Sequence, residues 1–178
     1  MRRIASVMAA LSLSGIVFAF FMITPWKVDK DYSIRFSSRD VTGVFEKFDA
    51  VIVFDQANLQ ASNFNLVIDA ASLNTGIDMQ TEDVKSHEWF DVAKYPEVKF
   101  TSSKIDTAGK AYVVTGIMEL HGIKKEISIP FSFAKNGTDK GIFSASFIIN
   151  RNDYKVGPPG GGIAEEIKVE VRVPVIKK

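Results

Sequence analysis

Apolar and polar side chains alternate along most of the chain after residue 28. A period of two predicts β-strands that bury one face and expose the other. The clearest run covers residues 166–173, where Ile and Val at every second position alternate with Glu, Lys and Arg. Turn signals such as Asn136-Gly137 separate these runs, which is typical of hairpins. The pattern predicts about eight antiparallel strands.

One stretch, residues 81–100, breaks this alternation. Thr81 can cap a helix through its hydroxyl, and the two acidic residues that follow it favour a helix N-terminus. Val84, Trp89 and Phe90 give the segment an apolar face to bury. We therefore predict a short helical segment that begins at Thr81 and closes one end of a barrel.

The arrangement of the strands has two solutions, because hairpin-connected strands at this spacing form a closed barrel or a sandwich. We favour the barrel, since closure removes exposed strand edges and the sequence offers no helices to cover them. Small residues near the middle of the inward rows, namely Ala70, Gly116 and Ala145, would leave a channel inside it. Interdigitation of large and small side chains around a solid core explains the same pattern equally well.

The N-terminal segment follows a different pattern. Two arginines follow Met1, and residues 4–23 then contain no charged side chain. About 20 apolar residues are just enough to span a bilayer, and no A-x-A cleavage site ends the run. We interpret residues 1–26 as a cleaved signal peptide or an uncleaved membrane anchor, and residues 27–178 as one domain. The arginines should remain cytoplasmic, which places that domain outside the inner membrane.

Composition argues against several kinds of chemistry. The chain has no Cys, and therefore neither a thiolate nucleophile nor a Cys-type zinc site. Its formal net charge is +1 and it has no basic run, which argues against nucleic-acid binding. The two histidines, His87 and His121, lack the spacing of a metal motif. Arg151 and Asp153 are two positions apart and could share a strand face, as an ion pair or to orient a polar head group. We predict no catalytic residues, no metal and no enzymatic activity.

Short motifs in a fixed order extend over nearly the whole chain after residue 28. They are Gly43 with Phe45, His87-Glu-Trp-Phe-Asp91, Lys94-Tyr-Pro96, Val98-Lys-Phe100-Thr-Ser, Thr115-Gly116, Leu120-His-Gly122, Lys124-Lys125 and Asn150-Arg-Asn-Asp153-Tyr. Together they resemble the signature of the bacterial YceI-like family. The resemblance implies an all-β fold, an extended antiparallel lipocalin-like barrel, in a protein exported to the periplasm. Many members carry a His where this chain has Asp83, so any ligand contact of that His does not carry over.

The same resemblance implies a carrier or sequestering protein whose apolar lumen holds a polyisoprenoid, such as a quinone, or a similar long-chain lipid. Strand parity and the apolar face of the helical segment indicate the lumen residues, which are Phe36, Phe54, Phe64, Leu66, Ile68, Trp89, Phe90, Phe131, Phe143, Phe147 and Val169. The alternative is a ligand-free structural or stress-related envelope protein with a filled core. Besides the lipid, the expected partners are the inner membrane, through residues 4–23, and, if the protein dimerises, a second copy of the chain.

Overall fold

The structure, a computed structural model, describes residues 24–177. Its strands are β1 (Trp26–Val28), β2 (Ser33–Ser37), β3 (Thr42–Phe45), β4 (Phe48–Val53), β5 (Asn63–Asp69), β6 (Leu73–Asn74), β7 (Glu97–Ala108), β8 (Ala111–Leu120), β9 (Ile123–Asn136), β10 (Lys140–Asn150) and β11 (Glu166–Lys177). One α-helix, α1 (Asp78–Lys85), lies between β6 and β7, and short 3₁₀ turns occur at Leu59–Ala61, Ala70–Ser72 and Arg151–Tyr154.

The eleven segments form an antiparallel barrel of eight strands. Three of the eight barrel strands are interrupted, and each of these three consists of two segments. β1 and β2 both pair with β11 and make one strand. β3 and β4 make the next strand, β5 and β6 the third, and β7 to β11 follow in chain order. The barrel closes because β11 pairs with β10 on one side and with β1 and β2 on the other. The predicted all-β barrel with one short helix is confirmed.

The helix begins earlier than the sequence predicted. α1 starts at Asp78, and the backbone N–H of Thr81 already donates to the Ile77 carbonyl at 2.8 Å. The buried Thr81 hydroxyl instead accepts the backbone N–H of Thr75 at 3.0 Å and lies 2.9 Å from the Thr75 hydroxyl. The prediction that Thr81 caps the helix is therefore wrong, because its hydroxyl holds the preceding turn.

The barrel wall is split between β9 and β10. Their ladder runs from the pair Asn136–Lys140 to the pair Phe131–Ala145 and ends there. Pro130 comes next and has no N–H to donate. Beyond this point β9 pairs only with β8, and β10 pairs only with β11. We call this unpaired line, between residues 123–130 and 146–150, the seam.

The expected N-terminal export segment or anchor falls mostly on residues 1–23, which lie outside the described residues. Within residues 24–177, no helix combines the length and the apolarity needed to cross a membrane. Trp26 starts β1 and is only 4% exposed, so this residue belongs to the barrel.

Candidate ligand cavity

The barrel encloses a cavity of about 200 Å³. Only three of its lining residues carry a charge or a hydroxyl, namely Lys99, Ser144 and Arg151. Lys99 sits at an exposed position of β7 and pairs with Glu97 at 2.6 Å. Arg151 is therefore the one buried charged residue among these three. All other lining residues are apolar.

Ten of the eleven predicted lumen residues line this cavity. They are Phe36, Phe64, Leu66, Ile68, Trp89, Phe90, Phe131, Phe143, Phe147 and Val169.

The small residues predicted to open a channel differ in where the structure places them. Ala145 lines the cavity, whereas Ala70 does not and belongs to a buried cluster with Val98 and Tyr154. The space over Gly116 is taken by the Phe100 ring and by backbone of β7.

Phe54 does not line the cavity, and instead anchors an aromatic cluster that closes one end of the barrel. Phe54 is 1% exposed, and ring centroids surround it at 5.2 to 6.1 Å. The surrounding rings are those of Phe64, Tyr112, Phe131, Phe133 and Phe143. The Trp26 indole packs on Phe133 and donates from Nε1 to the Phe54 carbonyl at 3.0 Å. We call this region the sealed end.

The opposite end is covered by two segments, the rim segment (residues 84–90) and the rim loop (residues 156–163). Val84, Trp89 and Phe90 of the rim segment line the cavity, as do Val156 and Ile163 of the rim loop. Trp89, Phe90 and Ile163 are partly exposed. We infer that the cavity is reached from this end, which we call the rim end.

The Trp89 ring joins the two rim segments. It lies directly against Gly157, whose φ of +72° and missing side chain leave room for the indole. The guanidinium carbon of Arg151 lies 5.2 Å from the centroid of the same ring. A Cβ at Gly157 would clash with the indole, so the glycine is needed for this contact.

Arg151 lies in a 3₁₀ turn after β10 and is 3% exposed. Its guanidinium donates to oxygens of five residues at 2.8 to 3.2 Å. The acceptors are the carbonyls of Val156, Pro158, Ile163 and Ala164 and the side-chain oxygen of Asn152. Asp153 pairs instead with Lys125 at 2.8 Å. Arg151 and Asp153 therefore do not share a strand face, because the turn points them to different partners.

The two histidines do not converge. His87 is exposed, whereas Nδ1 of His121 lies 3.2 Å from the Tyr154 carbonyl and its ring centroid 4.4 Å from that of Tyr95. Burial, and secondarily Asp153, raises the pKa of the Tyr154 phenol. Within residues 24–177, no group of three or more His, Cys, Asp or Glu side chains is placed to hold a metal ion.

Several lining residues were missed by the sequence reading. They include Ile34, Phe45, Phe48, Ile52, Phe100, Met118, Ile129, Ile149, Ile163 and Val173. Those on strands occupy inward positions of the alternation, and on β3, β7 and β8 no lumen residue had been predicted at all, so extending the parity argument to every strand would have found them. Arg151 had no such signal, because it follows the last residue of β10 and its direction is set by the turn.

The fold and the cavity define a lipocalin-like barrel, in which eight antiparallel strands surround an apolar space open at one end. Residues 26–175 match the family model described as the YceI-like domain. The chain belongs to the YceI-like family, which confirms the resemblance seen in its motifs.

Similar proteins support this assignment. A UPF0312 protein of Pseudomonas savastanoi is 35% identical over 126 residues, which are 67% of this chain and 66% of that protein. The match thus spans slightly less than two thirds of that relative. A second one, UPF0312 protein plu2095 of Photorhabdus laumondii, is 29% identical over 141 residues, covering 76% of this chain and 73% of the relative.

Two solved structures share the fold. BcnA of Burkholderia cenocepacia superposes with a TM-score of 0.79 at 29% identity, covering 83% of this chain and 99% of BcnA. A domain of Saccharophagus degradans described as polyisoprenoid binding has a TM-score of 0.67 at 18% identity, covering 88% of this chain and 99% of that domain. At that identity the second likeness concerns the fold alone.

Proposed function

We propose that the protein is an exported lipid-binding protein that carries or sequesters a polyisoprenoid, quinone-like or similar long-chain lipid in its barrel. The observation that carries the proposal is the apolar cavity of about 200 Å³, whose lining includes the partly exposed Trp89 and Phe90. A filled core, as the ligand-free alternative requires, would leave no such space. Export rests on the uncharged run of residues 4–23 after the two arginines.

The size of the cavity favours a slender ligand. An apolar cavity of about 150 Å³ holds a benzene ring, whereas pockets for compact drug-sized molecules start at about 300 Å³. Each methylene that leaves water contributes about 0.8 kcal/mol, so a chain threaded along the barrel gains affinity from its length alone. Binding of this kind needs few polar contacts, which agrees with the lining.

The fold relatives are compatible with this ligand class. The Saccharophagus degradans domain, which shares the barrel, is described as polyisoprenoid binding. The family itself is a family of binding proteins, and we propose no catalytic role. The inner membrane and a second copy of the chain remain the proposed partners besides the lipid.

The proposal is tested with protein purified from its own host, by native mass spectrometry and by extraction and identification of the bound lipid. We expect one long-chain lipid per barrel. Ala145→Phe adds a ring inside the cavity and should abolish the bound mass. Ser146→Phe places the same ring on the outer face of the same strand and should leave occupancy unchanged.

Two results would overturn the proposal. One is a barrel that carries no lipid from its host and takes up none from vesicles of host lipid. The other is equal occupancy of the wild type and Ala145→Phe, since a ligand that tolerates a ring in the cavity does not occupy it.

A further inference from the structure

Arg151 is a buried cation without a matching carboxylate. Among the ion pairs of residues 24–177, none closer than 4.0 Å involves Arg151. Two acidic residues of the segments around it have other partners. Asp153 pairs with Lys125, and Asp40 pairs with Arg39 and accepts the Ala164 backbone N–H at 2.8 Å. The charge of Arg151 is therefore solvated only by neutral oxygens.

The guanidinium also has donor capacity left. Arginine has five N–H donors, one on Nε and two on each terminal nitrogen. Nε donates to Ala164, and Nη1 is surrounded by three oxygens, so its two hydrogens are used. Nη2 has a single acceptor, the Ile163 carbonyl at 2.9 Å. One hydrogen of Nη2 is thus without an acceptor among residues 24–177.

This free donor belongs to a residue that lines the cavity at its rim end. An isolated charge out of water is costly unless an opposite charge or a full set of hydrogen bonds compensates it. The carbonyls of the rim loop supply part of that compensation and hold the guanidinium still. Trp89 covers the guanidinium from one side at 5.2 Å, which keeps water off it.

We propose that the bound lipid has an acidic head, a carboxylate or a phosphate, which Arg151 holds at the rim end while the apolar tail extends toward Phe54. This inference rests on the proposed function and specifies the ligand class. The head neutralises Arg151 and accepts the remaining Nη2 hydrogen. Neutral heads, such as an alcohol, lack the charge and gain only the hydrogen bond.

The test compares three ligands of equal tail length, namely hexadecanoic acid, hexadecyl phosphate and hexadecanol. Their dissociation constants for delipidated wild-type protein are measured at neutral pH by calorimetry. A charged acceptor exceeds a neutral one by about 1.4 kcal/mol or more, so at least one acidic ligand should bind about tenfold tighter than hexadecanol. Which of the two acids binds tighter distinguishes a carboxylate from a phosphate head.

A second measurement does not depend on any variant. Hexadecanoic acid labelled at its carboxyl carbon is followed by NMR through a pH titration while bound. Beside a cation, the pKa of the bound carboxyl should lie below its value in water, whereas burial without a counter-charge would raise it. Of the acidic groups in the segments around the guanidinium, Asp40 and Asp153 have their own cationic partners in Arg39 and Lys125, and Glu88 and Glu165 are exposed to solvent.

Substitutions of Arg151 then show whether the preference for an acidic head depends on this residue. Arg151→Gln should remove the preference for an acidic head, and Arg151→Lys should retain part of it. Lys155→Gln removes an exposed positive charge from the same turn and should leave the preference intact. Thermal melting shows whether each variant is folded before its affinities are compared.

Each outcome has one meaning. Tighter binding of an acid together with a lowered carboxyl pKa supports the inference. Equal or tighter binding of hexadecanol, or a raised carboxyl pKa, overturns the inference and leaves the proposed lipid-binding function standing. Failure of all three ligands to bind also overturns the inference, whereas the proposed function is judged separately by the lipid content of protein purified from its own host.

Discussion

The two ends of the barrel are built in opposite ways. At the sealed end, Phe54 is enclosed by rings, and the polar Nε1 of Trp26 has its partner within the same cluster. At the rim end, the partly exposed Trp89 covers a glycine of a loop, and a buried cation holds that loop by its carbonyls. Stability and access are thus provided by different ends of the same cavity.

The sequence of each end explains its behaviour. The sealed end is closed by strand ends and short turns, where Trp26 and Phe54 are almost fully buried and Tyr112 and Phe133 are partly buried. The rim end is closed by two longer insertions between strands, and residues 157–162 contain four glycines and two prolines. Few side chains are available there to bury, so the rim loop depends on Arg151 and Trp89 for its position.

The largest effect should come from Phe54→Ala at the sealed end. Removal of a ring with 1% exposure leaves a cavity and should lower the free energy of unfolding by about 3 to 5 kcal/mol. Denaturant unfolding of the delipidated protein measures it. The matched variant is Phe147→Ala, a partly buried ring on the cavity wall, whose loss should be smaller. If Phe147→Ala destabilises the protein as much as Phe54→Ala, the division between the ends is wrong.

A smaller effect is expected from Gly157→Ala at the rim end. Both Gly157 and Gly160 have positive φ, +72° and +69°, so an alanine at either position suffers similar backbone strain of about 1 kcal/mol. Only at Gly157 would the new Cβ meet the Trp89 ring, whereas nothing lies within 4 Å of it at Gly160. Gly157→Ala should therefore release bound lipid faster than Gly160→Ala, as stopped-flow displacement would show. Equal release rates would mean that Trp89 does not hold the rim closed.

The smallest effect concerns Tyr154, whose buried hydroxyl has no partner among residues 24–177. Tyr154→Phe removes this unpaired group and should leave the free energy of unfolding unchanged or raise it by up to about 1 kcal/mol at neutral pH. The pKa of this phenol is raised above its ordinary 10.0, chiefly by burial. The unfolded chain then ionises first, so the wild type should lose stability as pH rises above that ordinary value.

Chemical unfolding measured at several alkaline pH values checks whether the free energy of unfolding falls as the pH rises. Tyr154→Phe should lack the part of the alkaline loss that belongs to this phenol. Tyr112→Phe, which removes a phenol at the sealed end, is the control. An identical pH profile for Tyr154→Phe and the wild type would contradict the prediction.

Strand parity predicted most of this structure because it depends only on which face of each strand is buried. The residues predicted to face inward on β5, β10 and β11 therefore line the cavity in the structure. Position along the barrel axis was not predictable in the same way. Phe54 has the parity of an inward residue, yet its height places it in the sealed end. Strand β1 was not predicted, because it has only three residues and shows too little alternation to be recognised as a strand.

The rim end was the least predictable part. The helix starts at Asp78, and the Thr81 hydroxyl contacts Thr75 instead of capping the helix, whereas a capping threonine looks the same in sequence. Arg151 was seen as a charged residue near Asp153, but its five oxygen contacts come mainly from a loop that lies 5 to 13 residues further along. Such contacts follow from loop geometry, which no periodic pattern encodes.

The seam between β9 and β10 gives the wall a mechanical property. Elsewhere around the barrel, enlarging the circumference would break backbone hydrogen bonds, at a net cost of about 1 kcal/mol each. Along residues 123–130 and 146–150 no ladder bonds join the two strands, so only side-chain contacts resist separation there. The barrel is therefore stiff around most of its girth and compliant along one line. If the seam opens, the cavity can accept a lipid chain larger than its volume of about 200 Å³ in this structure.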